Sequence, residues 1–466
     1  MKEKRQFGHL ALRMLIALMA AVGFMAMNVG GGPLVLMDYI GGWETRRLYL
    51  AGCGAVIFAA FAVLALQKRS WAEYALMAAA LLTGALMRFY MIDIVSPYYA
   101  DNLAPFMRAL EGGVREATES GYTPLTTLIF AAIARTGVYP MYCVKLMSIA
   151  CDLFIALALT ALLEKKNRIY AGLAYLFCTV FFLYGAYAGT MDSAYVLLVL
   201  LCALALRRER RALGWIFFGA AVALDPMSLA ALPALLLWKG KRGDRAMLCA
   251  VGSCAVLSAP AFALGLPLSS ALSALSGRNP LSMHMRSSSI YNFFAPVFVK
   301  DMPQYHLMRY MDGIDGEALI DKTYTLENLL SMRNGFTIVF LVLLIALLAL
   351  LYRHRAPLEA CRDELMALLP LTVCMFLPGV DAACFILADV GMLIYALRVR
   401  GGWRAALLSL GASAVSASAF ATGAELIGLW LCMAAQCAAL LMLARKIVRT
   451  LYASGALGTA NAPQRI

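Results

Sequence analysis

Residues 1–29, MKEKRQFGHLALRMLIALMAAVGFMAMNV, show the pattern that decides the fold: a basic start followed by a long apolar run. The run is long for a signal peptide and lacks a small-residue cleavage site, so we expect a retained membrane helix. Apolar runs of about 15–22 residues recur along the chain, which is 62% apolar and only 14% charged. The mean hydropathy is +0.77. These features predict an all-α, polytopic transmembrane helical bundle and exclude a disordered chain, a secreted disulfide scaffold and a cytosolic enzyme.

The net charge of +13 is distributed in short clusters between the apolar runs. The clusters are Lys2–Arg5, Lys68–Arg69, Lys165–Arg168, Arg207–Arg211, Lys239–Arg245, Arg353–Arg355, Arg398–Arg404 and Arg445–Arg449. Basic residues collect in the cytoplasmic loops of membrane proteins, so the charge reports orientation and not a nucleic-acid partner.

Placing every basic cluster in the cytoplasm predicts about 12–14 crossings, with both termini cytoplasmic. The predicted segments are 10–29, 48–66, 72–92, 140–163, 168–187, 192–206, 212–238, 246–265, 334–352, 365–379, 380–397, 403–421 and 423–445. Residues 123–138 are short and carry Arg135, so they are predicted to be re-entrant or interfacial. Asp225-Pro226 is expected to break 212–238 into two short helices that meet near the outer face.

The predicted organisation has three parts. Residues 1–70 form an N-terminal transmembrane hairpin, residues 71–400 form the transmembrane core, and residues 401–466 form C-terminal helices and a cytoplasmic tail. The core carries two predicted extracytoplasmic loops, 93–122 and 266–333.

This topology places most of the remaining polar residues at the outer ends of helices. They are Arg88, Asp93, Asp101, Asp192, Asp225, Asn279, Asn292 and Asp381. Each carboxylate alone is explained by a helix cap in contact with water. Five of them on one side, together with two long loops, predict a shared site on the outer face.

Lys145 and Asp152 lie within one predicted helix, seven residues or about two turns apart, and therefore on one face. Ionisable groups at membrane depth are costly and are a hypothesis of function by default. A tie between helices inside the bundle is the alternative, and the sequence leaves both open.

The Ser-rich stretch 269–292 carries Arg278, Asn279, Arg286, Tyr291 and Asn292. An arginine fork matches phosphate oxygens, so a phosphate clamp and an ordinary solvated loop are both open. The 12 Cys and four His follow no metal or disulfide spacing, and no P-loop is present.

Several segments share a pattern with a known group of proteins. They are Met87-Arg88, Val95-Ser96-Pro97-Tyr98-Tyr99, Gly121-Tyr122-Thr123-Pro124-Leu125, Val144-Lys145-Leu146-Met147-Ser148-Ile149 with Asp152 beyond, and Gly189-Thr190-Met191-Asp192-Ser193-Ala194-Tyr195. Across residues 86–400 the chain resembles the GT-C superfamily of integral membrane glycosyltransferases, specifically bacterial relatives of the mannosyltransferases that build GPI-type glycans. The resemblance implies a bacterial cytoplasmic membrane protein with an extracytoplasmic active face.

The chain departs from that family at positions that carry chemistry. The resemblance puts the family's external carboxylate, a base or metal ligand, at Tyr98, and Asp101 lies three residues further on. Asp225 replaces the family's lysine before the proline. Residues 376–384, which include Asp381, occupy the place of a late His-Glu-Arg-Tyr motif.

Three hypotheses follow. The first is an enzyme that moves a sugar from a polyprenyl-phosphate donor in the membrane lipid to a glycan or cell-envelope acceptor. Its base is Asp101 or Asp192, and its phosphate partners are Arg88, Arg278 and Arg286; no cofactor is assigned, and a divalent cation is allowed. Tyr98, Tyr122, Lys145, Asp152 and Asp225 are further candidate substrate-binding residues.

The second hypothesis is a non-catalytic relative that binds a lipid-linked glycan or a partner enzyme. The third is a transporter or flippase.

Overall fold

The computed structural model describes residues 2–29, 43–67, 69–117, 122–164, 167–237, 245–270, 284–293, 326–353, 358–423 and 425–453. Within these ranges the chain forms seventeen α-helices, so the predicted all-α class is confirmed.

We number the α-helices in chain order. They are α1 (Lys2–Val29), α2 (Trp43–Leu66), α3 (Trp71–Phe89), α4 (Ala104–Gly112), α5 (Pro124–Ala134), α6 (Pro140–Leu162), α7 (Arg168–Phe177), α8 (Thr179–Phe182), α9 (Asp192–Arg207), α10 (Arg211–Leu224), α11 (Leu232–Leu236), α12 (Leu248–Ala263), α13 (Leu326–Arg353), α14 (Arg362–Phe376), α15 (Ile386–Arg398), α16 (Trp403–Thr422) and α17 (Leu429–Ala453).

Short irregular pieces join these helices. Two π-helical turns cover Tyr99–Leu103 and Leu183–Tyr187. The 3-10 turns are Val114–Ala117, Pro226–Ala231, Arg245–Met247, Ile290–Phe293, Glu359–Cys361 and Ala382–Phe385. Two strands of two residues each, β1 (His284–Met285) and β2 (Val380–Asp381), pair in parallel, with His284 opposite Val380 and Met285 opposite Asp381.

The chain divides into two compact units. The first unit comprises Met1–Thr118, Thr123–Asp225 and Arg245–Pro267, and the second comprises Glu119–Tyr122, Pro226–Asp244 and Leu268–Ile466. The predicted N-terminal hairpin, residues 1–70, therefore lies in the same unit as most of the predicted core up to Pro267. The predicted C-terminal helices lie in one unit with the rest of that core.

Among the described residues, seven helices are long and apolar enough to cross a membrane, or up to eight if one bent pair counts as a single span. The seven stretches are His9–Met27, Arg47–Leu66, Trp71–Phe89, Pro140–Leu162, Arg333–Leu351, Trp403–Thr422 and Leu429–Ala453. Four further apolar helices are shorter, at 10–17 residues. This is the pattern of an integral membrane protein.

The two ends of the first unit differ in chemistry. At one end, the Arg13 Nη2 atom donates to the carbonyl of Arg69 at 2.8 Å, and Arg69 Nη2 donates to Thr160 Oγ1 at 2.5 Å. Arg168 pairs there with Glu73. We call this the basic end. At the opposite end of α6, the Tyr142 hydroxyl donates to Asp93 Oδ1 at 2.6 Å.

The span predicted as one helix over 168–187 is in fact two pieces bent by 53°. Cys178, at the bend, has the extended backbone angles φ −71° and ψ 123°, so α7 stops there. The Leu176 carbonyl, just before the bend, accepts a hydrogen bond from Arg88 Nη1 at 2.9 Å. A side chain from another helix thus satisfies a carbonyl near the kink.

The predicted helix break at Asp225-Pro226 is confirmed. Helix α10 ends at Leu224, Asp225 is extended, and a 3-10 turn begins at Pro226. Proline lacks the amide hydrogen that would continue the helix. The Leu224 carbonyl instead accepts from the hydroxyls of Thr123, at 3.0 Å, and Thr126, at 2.8 Å. These two threonines lie at the start of α5, whose 11 residues are too few to span a bilayer.

Helices α10 and α12 approach each other closely at Gly219. A Cβ atom added there would lie 2.1 Å from the carbonyl oxygen of Ala250. We therefore expect Gly219→Ala to force the two helices apart and to destabilise the protein by about 1–3 kcal/mol. Thermal unfolding of the purified protein in detergent measures this.

The matched control is Gly252→Ala on α12, because a Cβ there meets nothing within 4 Å. Its melting temperature should be unchanged or slightly raised. Equal melting temperatures for the Gly219→Ala and Gly252→Ala variants would contradict the close helix approach.

Candidate functional site

The most buried ionic contact of the first unit joins α3 to α6. The Arg88 Nε atom lies 2.9 Å from Asp152 Oδ2, and both side chains have 0% exposed surface. The second oxygen of Asp152 accepts from the hydroxyls of Tyr175, at 2.8 Å, and Ser193, at 2.6 Å. Four helices, α3, α6, α7 and α9, therefore meet at this carboxylate.

The remaining bonds of Arg88 go to the backbone. Its Nη1 atom donates to the carbonyls of Gly84, at 3.2 Å, and Leu176, at 2.9 Å. The sequence left two hypotheses for Asp152: a functional ionisable group, or a tie between helices. These contacts favour the tie between helices. The assignment of Arg88 to a substrate phosphate stays a prediction.

Lys145 has its own partners, separate from those of Asp152. Its side chain is fully buried, and its Nζ atom donates to the carbonyls of Met91 at 3.0 Å and Ile94 at 2.5 Å. Gly189 packs over the lysine with φ +79°, and a Cβ there would lie 3.5 Å from Lys145 Cε. An ammonium held by two carbonyls fixes the turn that follows α3.

The segment after that turn is attached to the chain before α9. Ser96 Oγ donates to the Ala188 carbonyl at 2.7 Å and accepts from the Tyr99 backbone N–H at 3.1 Å. Burial raises the pKa of Tyr99, whose ring lies 6.1 Å from that of Tyr139. The loop that begins the predicted external region is thus anchored at its first residues.

The two candidate bases are placed differently. Asp192 is the first residue of α9 and is 1% exposed. The positive end of the helix dipole stabilises a carboxylate at this position. Asp101 lies in the π-helical turn Tyr99–Leu103, and its side chain falls outside what the structure describes. Tyr98, three residues earlier, is buried at 6% exposure.

Four other candidates are Asp225, Tyr122, Arg278 and Asn279. Asp225 directly follows α10 and is 9% exposed. Tyr122 is half-buried and belongs to the second unit. Arg278 and Asn279 lie outside the described residues.

The second unit brings Arg286, Tyr291, Asn292 and Asp381 into one region through the β1–β2 pair. Arg286 has φ 50°, and its Nη1 atom donates to the Ala419 carbonyl at 3.1 Å. Asn292 Nδ2 donates to the carbonyls of Ser287 and Ser289 at 2.8 and 2.9 Å. The contacts of Asn292 thus shape the loop that follows β1, and the bond from Arg286 attaches that loop to helix α16.

Tyr291 and Asp381 also bond within the second unit. The Tyr291 hydroxyl donates to the Phe376 carbonyl at 2.8 Å, and burial raises the pKa of Tyr291 to about 12. Asp381 Oδ1 accepts from the backbone N–H of Cys384 at 3.0 Å and caps the turn before α15.

Sequence reasoning missed a second buried polar network, which lies in the second unit. Ser413 Oγ donates to Asp389 Oδ1 at 2.7 Å, and Gln436 Nε2 donates to Ser413 Oγ at 3.0 Å. Asp389 and Gln436 both have 0% exposure. A lone carboxylate and a lone amide inside apolar runs were the available signal.

Within the described ranges, no group of three or more His, Cys, Asp or Glu side chains is arranged to hold a metal ion. The arrangement at the end of the first unit opposite the basic end offers carboxylates, a buried ammonium and anchored loops. The ammonium is already held by two carbonyls, so orientation of an acceptor hydroxyl and a phosphate falls to the groups on the anchored loops.

The buried ion pair makes a quantitative prediction. Asp152→Asn leaves the Arg88 charge buried without its carboxylate, so we expect a loss of about 3–5 kcal/mol in the free energy of unfolding. Asp363→Asn is the matched control, because Asp363 pairs with Arg398 at 2.7 Å but both side chains are partly exposed. That change should cost less, because water can solvate the Arg398 guanidinium when its partner is lost.

Thermal or denaturant unfolding in detergent compares the two variants. Equal losses for Asp152→Asn and Asp363→Asn would show that the Arg88–Asp152 pair does not tie the helices together.

No model of a known protein family matches the sequence, and no curated protein matches it either.

Proposed function

We propose that this chain is a polytopic membrane glycosyltransferase of GT-C type, mannosyltransferase-like, that moves a sugar from a polyprenyl-phosphate donor to an extracytoplasmic acceptor. The observation that carries the proposal is the meeting, in the first unit, of three segments that carry the resemblance. These segments are residues 87–99, 144–152 and 189–195, and they are far apart along the chain.

The contacts between these segments are specific. Arg88 of the first segment pairs with Asp152 of the second at 2.9 Å. Lys145 of the second donates to the Ile94 carbonyl of the first at 2.5 Å. Ser193 of the third donates to Asp152 at 2.6 Å. The shared set of buried contacts supports the resemblance.

The topology of the proposal follows from the charges. The basic end of the first unit faces the cytoplasm, in keeping with the positive-inside rule, and the end with Asp93 faces outward. Both termini are cytoplasmic. The total is 12–14 crossings, to which apolar helices shorter than the seven long ones also contribute. The membrane is the bacterial cytoplasmic membrane, and the product belongs to the cell envelope.

The chemistry of transfer needs a base for the acceptor hydroxyl and cations for the departing lipid phosphate. Asp101 is the proposed base, since Asp192 is buried at the start of α9. Arg88 is engaged by Asp152 and by two carbonyls. The exposed Arg108 on α4, seven residues after Asp101, is therefore the better partner for the phosphate in this unit.

A specific observation favours the second hypothesis, a non-catalytic relative that binds the lipid-linked glycan. The resemblance expects a carboxylate at Tyr98, and the phenol that replaces it is buried rather than presented to an acceptor. The third hypothesis, a transporter or flippase, draws less support, because Asp152 is saturated by Arg88, Tyr175 and Ser193.

Replacement of the proposed base tests the enzyme. Asp101→Asn keeps the size of the side chain but removes its basicity, so transfer from a radiolabelled polyprenyl-phosphate mannose in membrane vesicles should fall by about 10²-fold or more. Glu111→Gln is the control, because Glu111 is an exposed carboxylate on the neighbouring helix α4. Its activity should match that of the wild type.

Full activity of the Asp101→Asn variant would place the base elsewhere. If the wild-type protein binds the donor lipid and transfers no sugar from it, the enzyme hypothesis is wrong and the non-catalytic relative takes its place.

The orientation is tested by labelling single cysteines in a variant without native cysteines. Glu111→Cys should react in intact cells with a membrane-impermeant maleimide, because α4 lies at the proposed outer end. Glu209→Cys follows α9 at the basic end, is exposed, and should react only after lysis. The reverse pattern would overturn the topology and the outer-face site with it.

A further inference from the structure

Three arginines of the first unit, Arg13, Arg69 and Arg168, lie at the basic end together with the carboxylate of Glu73. Arg168 pairs with Glu73, and Arg13 donates to the Arg69 carbonyl at 2.8 Å. Burial, and after it the positive charge of Arg168, lower the pKa of Arg69 to about 10, while Glu73 opposes this effect. Three positive charges and one negative charge leave these four side chains with a formal charge of +2.

The same three arginines hold donors that are not used. Arg13 Nε, Arg69 Nη1 and Arg168 Nε are buried and have no acceptor among the described residues. Apart from the Glu73 carboxylate, the acceptors that the cluster reaches are neutral: Arg69 Nε donates to Gln67 Oε1 at 2.8 Å, and Arg69 Nη2 donates to Thr160 Oγ1 at 2.5 Å. Buried donors on charged groups are expensive to leave unfilled, and an anion with several oxygen acceptors would fill them.

The surroundings of the cluster are those of a membrane interface. The guanidinium of Arg13 lies 4.9 Å from the ring centroid of Trp71 and 4.8 Å from that of Tyr74. Trp71 begins an apolar span and is 37% exposed, and tryptophan collects at the boundary between lipid and water. Exposed apolar side chains continue from the cluster along the same helices, with Leu12 beside Arg13 and Leu76 three residues after Glu73.

We propose that Arg13, Arg69 and Arg168 form a binding site for the phosphate headgroup of an anionic phospholipid in the leaflet at the basic end. The guanidinium groups supply N–H donors in the planar arrangement that suits phosphate oxygens. The acyl chains lie along the exposed apolar faces of α1 and α3. Basic pockets between membrane helices are known to take anionic headgroups.

An ordinary basic cluster that only faces water would look different. Its arginines would be solvated, as Arg208 at the end of α9 is exposed. Arg13 is instead 9% exposed and stacked on aromatic rings, and the unused donors are buried. The site does not depend on the proposed sugar transfer, since it lies at the opposite end of the first unit.

The experiment uses the full-length protein in neutral detergent, with phosphatidylglycerol and phosphatidylcholine as probes and lipid binding read by native mass spectrometry and thermal shift. Phosphatidylglycerol should bind more tightly than phosphatidylcholine and raise the melting temperature in proportion to its concentration. Arg168→Gln and Arg69→Gln should each weaken phosphatidylglycerol binding on the order of tenfold, as expected for the loss of a charge-assisted hydrogen bond. Arg208→Gln, which removes the same charge from an exposed site, should not.

Arg69 also bonds to Gln67 and Thr160, so Arg69→Gln can perturb folding. Arg168 is partly exposed, so Arg168→Gln disturbs the fold less and keeps the test decisive. Equal binding of the two lipids, or equal weakening by Arg168→Gln and Arg208→Gln, would overturn the proposal. Inorganic phosphate is the third probe: if it alone raises the melting temperature and abolishes the phosphatidylglycerol effect, the site takes a soluble phosphate and the lipid assignment fails.

Discussion

The buried pair of Arg88 and Asp152 is the constraint on which the first unit depends. Two opposite charges without exposed surface are tolerated only when each finds its partner and its remaining hydrogen bonds. Asp152 meets this condition through Tyr175 and Ser193. Arg88 meets it in part: its Nη1 atom donates to carbonyls that include the one before the bend at Cys178, and its buried Nη2 atom has no acceptor among the described residues. Helices α3, α6, α7 and α9 must therefore arrive at one point together.

The parts of the fold that local chemistry determines were predictable from the sequence. Long apolar runs give helices because no other backbone can satisfy its own hydrogen bonds in lipid, and Pro226 ends α10 because it lacks an amide hydrogen. The bend at Cys178 was not predictable, since neither glycine nor proline marks it. A hydrogen bond from Arg88, 88 residues away along the chain, satisfies the carbonyl of Leu176 beside it.

In the candidate site, too, the residues themselves were predictable from the sequence and their partners were not. An ionisable residue inside an apolar run is visible in the sequence, and Lys145 and Asp152 were found that way. Their partners were not visible, because Lys145 is held by the backbone carbonyls of Met91 and Ile94, and a carbonyl carries no residue identity. Placing the two residues on one face of α6 was right in geometry, yet it did not reveal that each bonds to different elements.

These contacts separate the chemistry of the first unit by depth. At membrane depth, and at the end that carries Asp93, three charged groups have partners within the protein: Asp152 bonds to Arg88, Lys145 to carbonyls, and Asp93 to Tyr142. Groups so engaged hold a scaffold and leave little capacity for a substrate. Under the proposed function, reactivity toward a sugar would come from the segment after Ser96, where Asp101 and Arg108 lie. At the basic end the balance differs, because three arginines there each hold a buried donor without an acceptor among the described residues, against one such donor on Arg88. A phosphate from the surrounding leaflet would restore that balance, and it would fasten α1, α3 and α7 at the end where Arg88 and Asp152 do not reach.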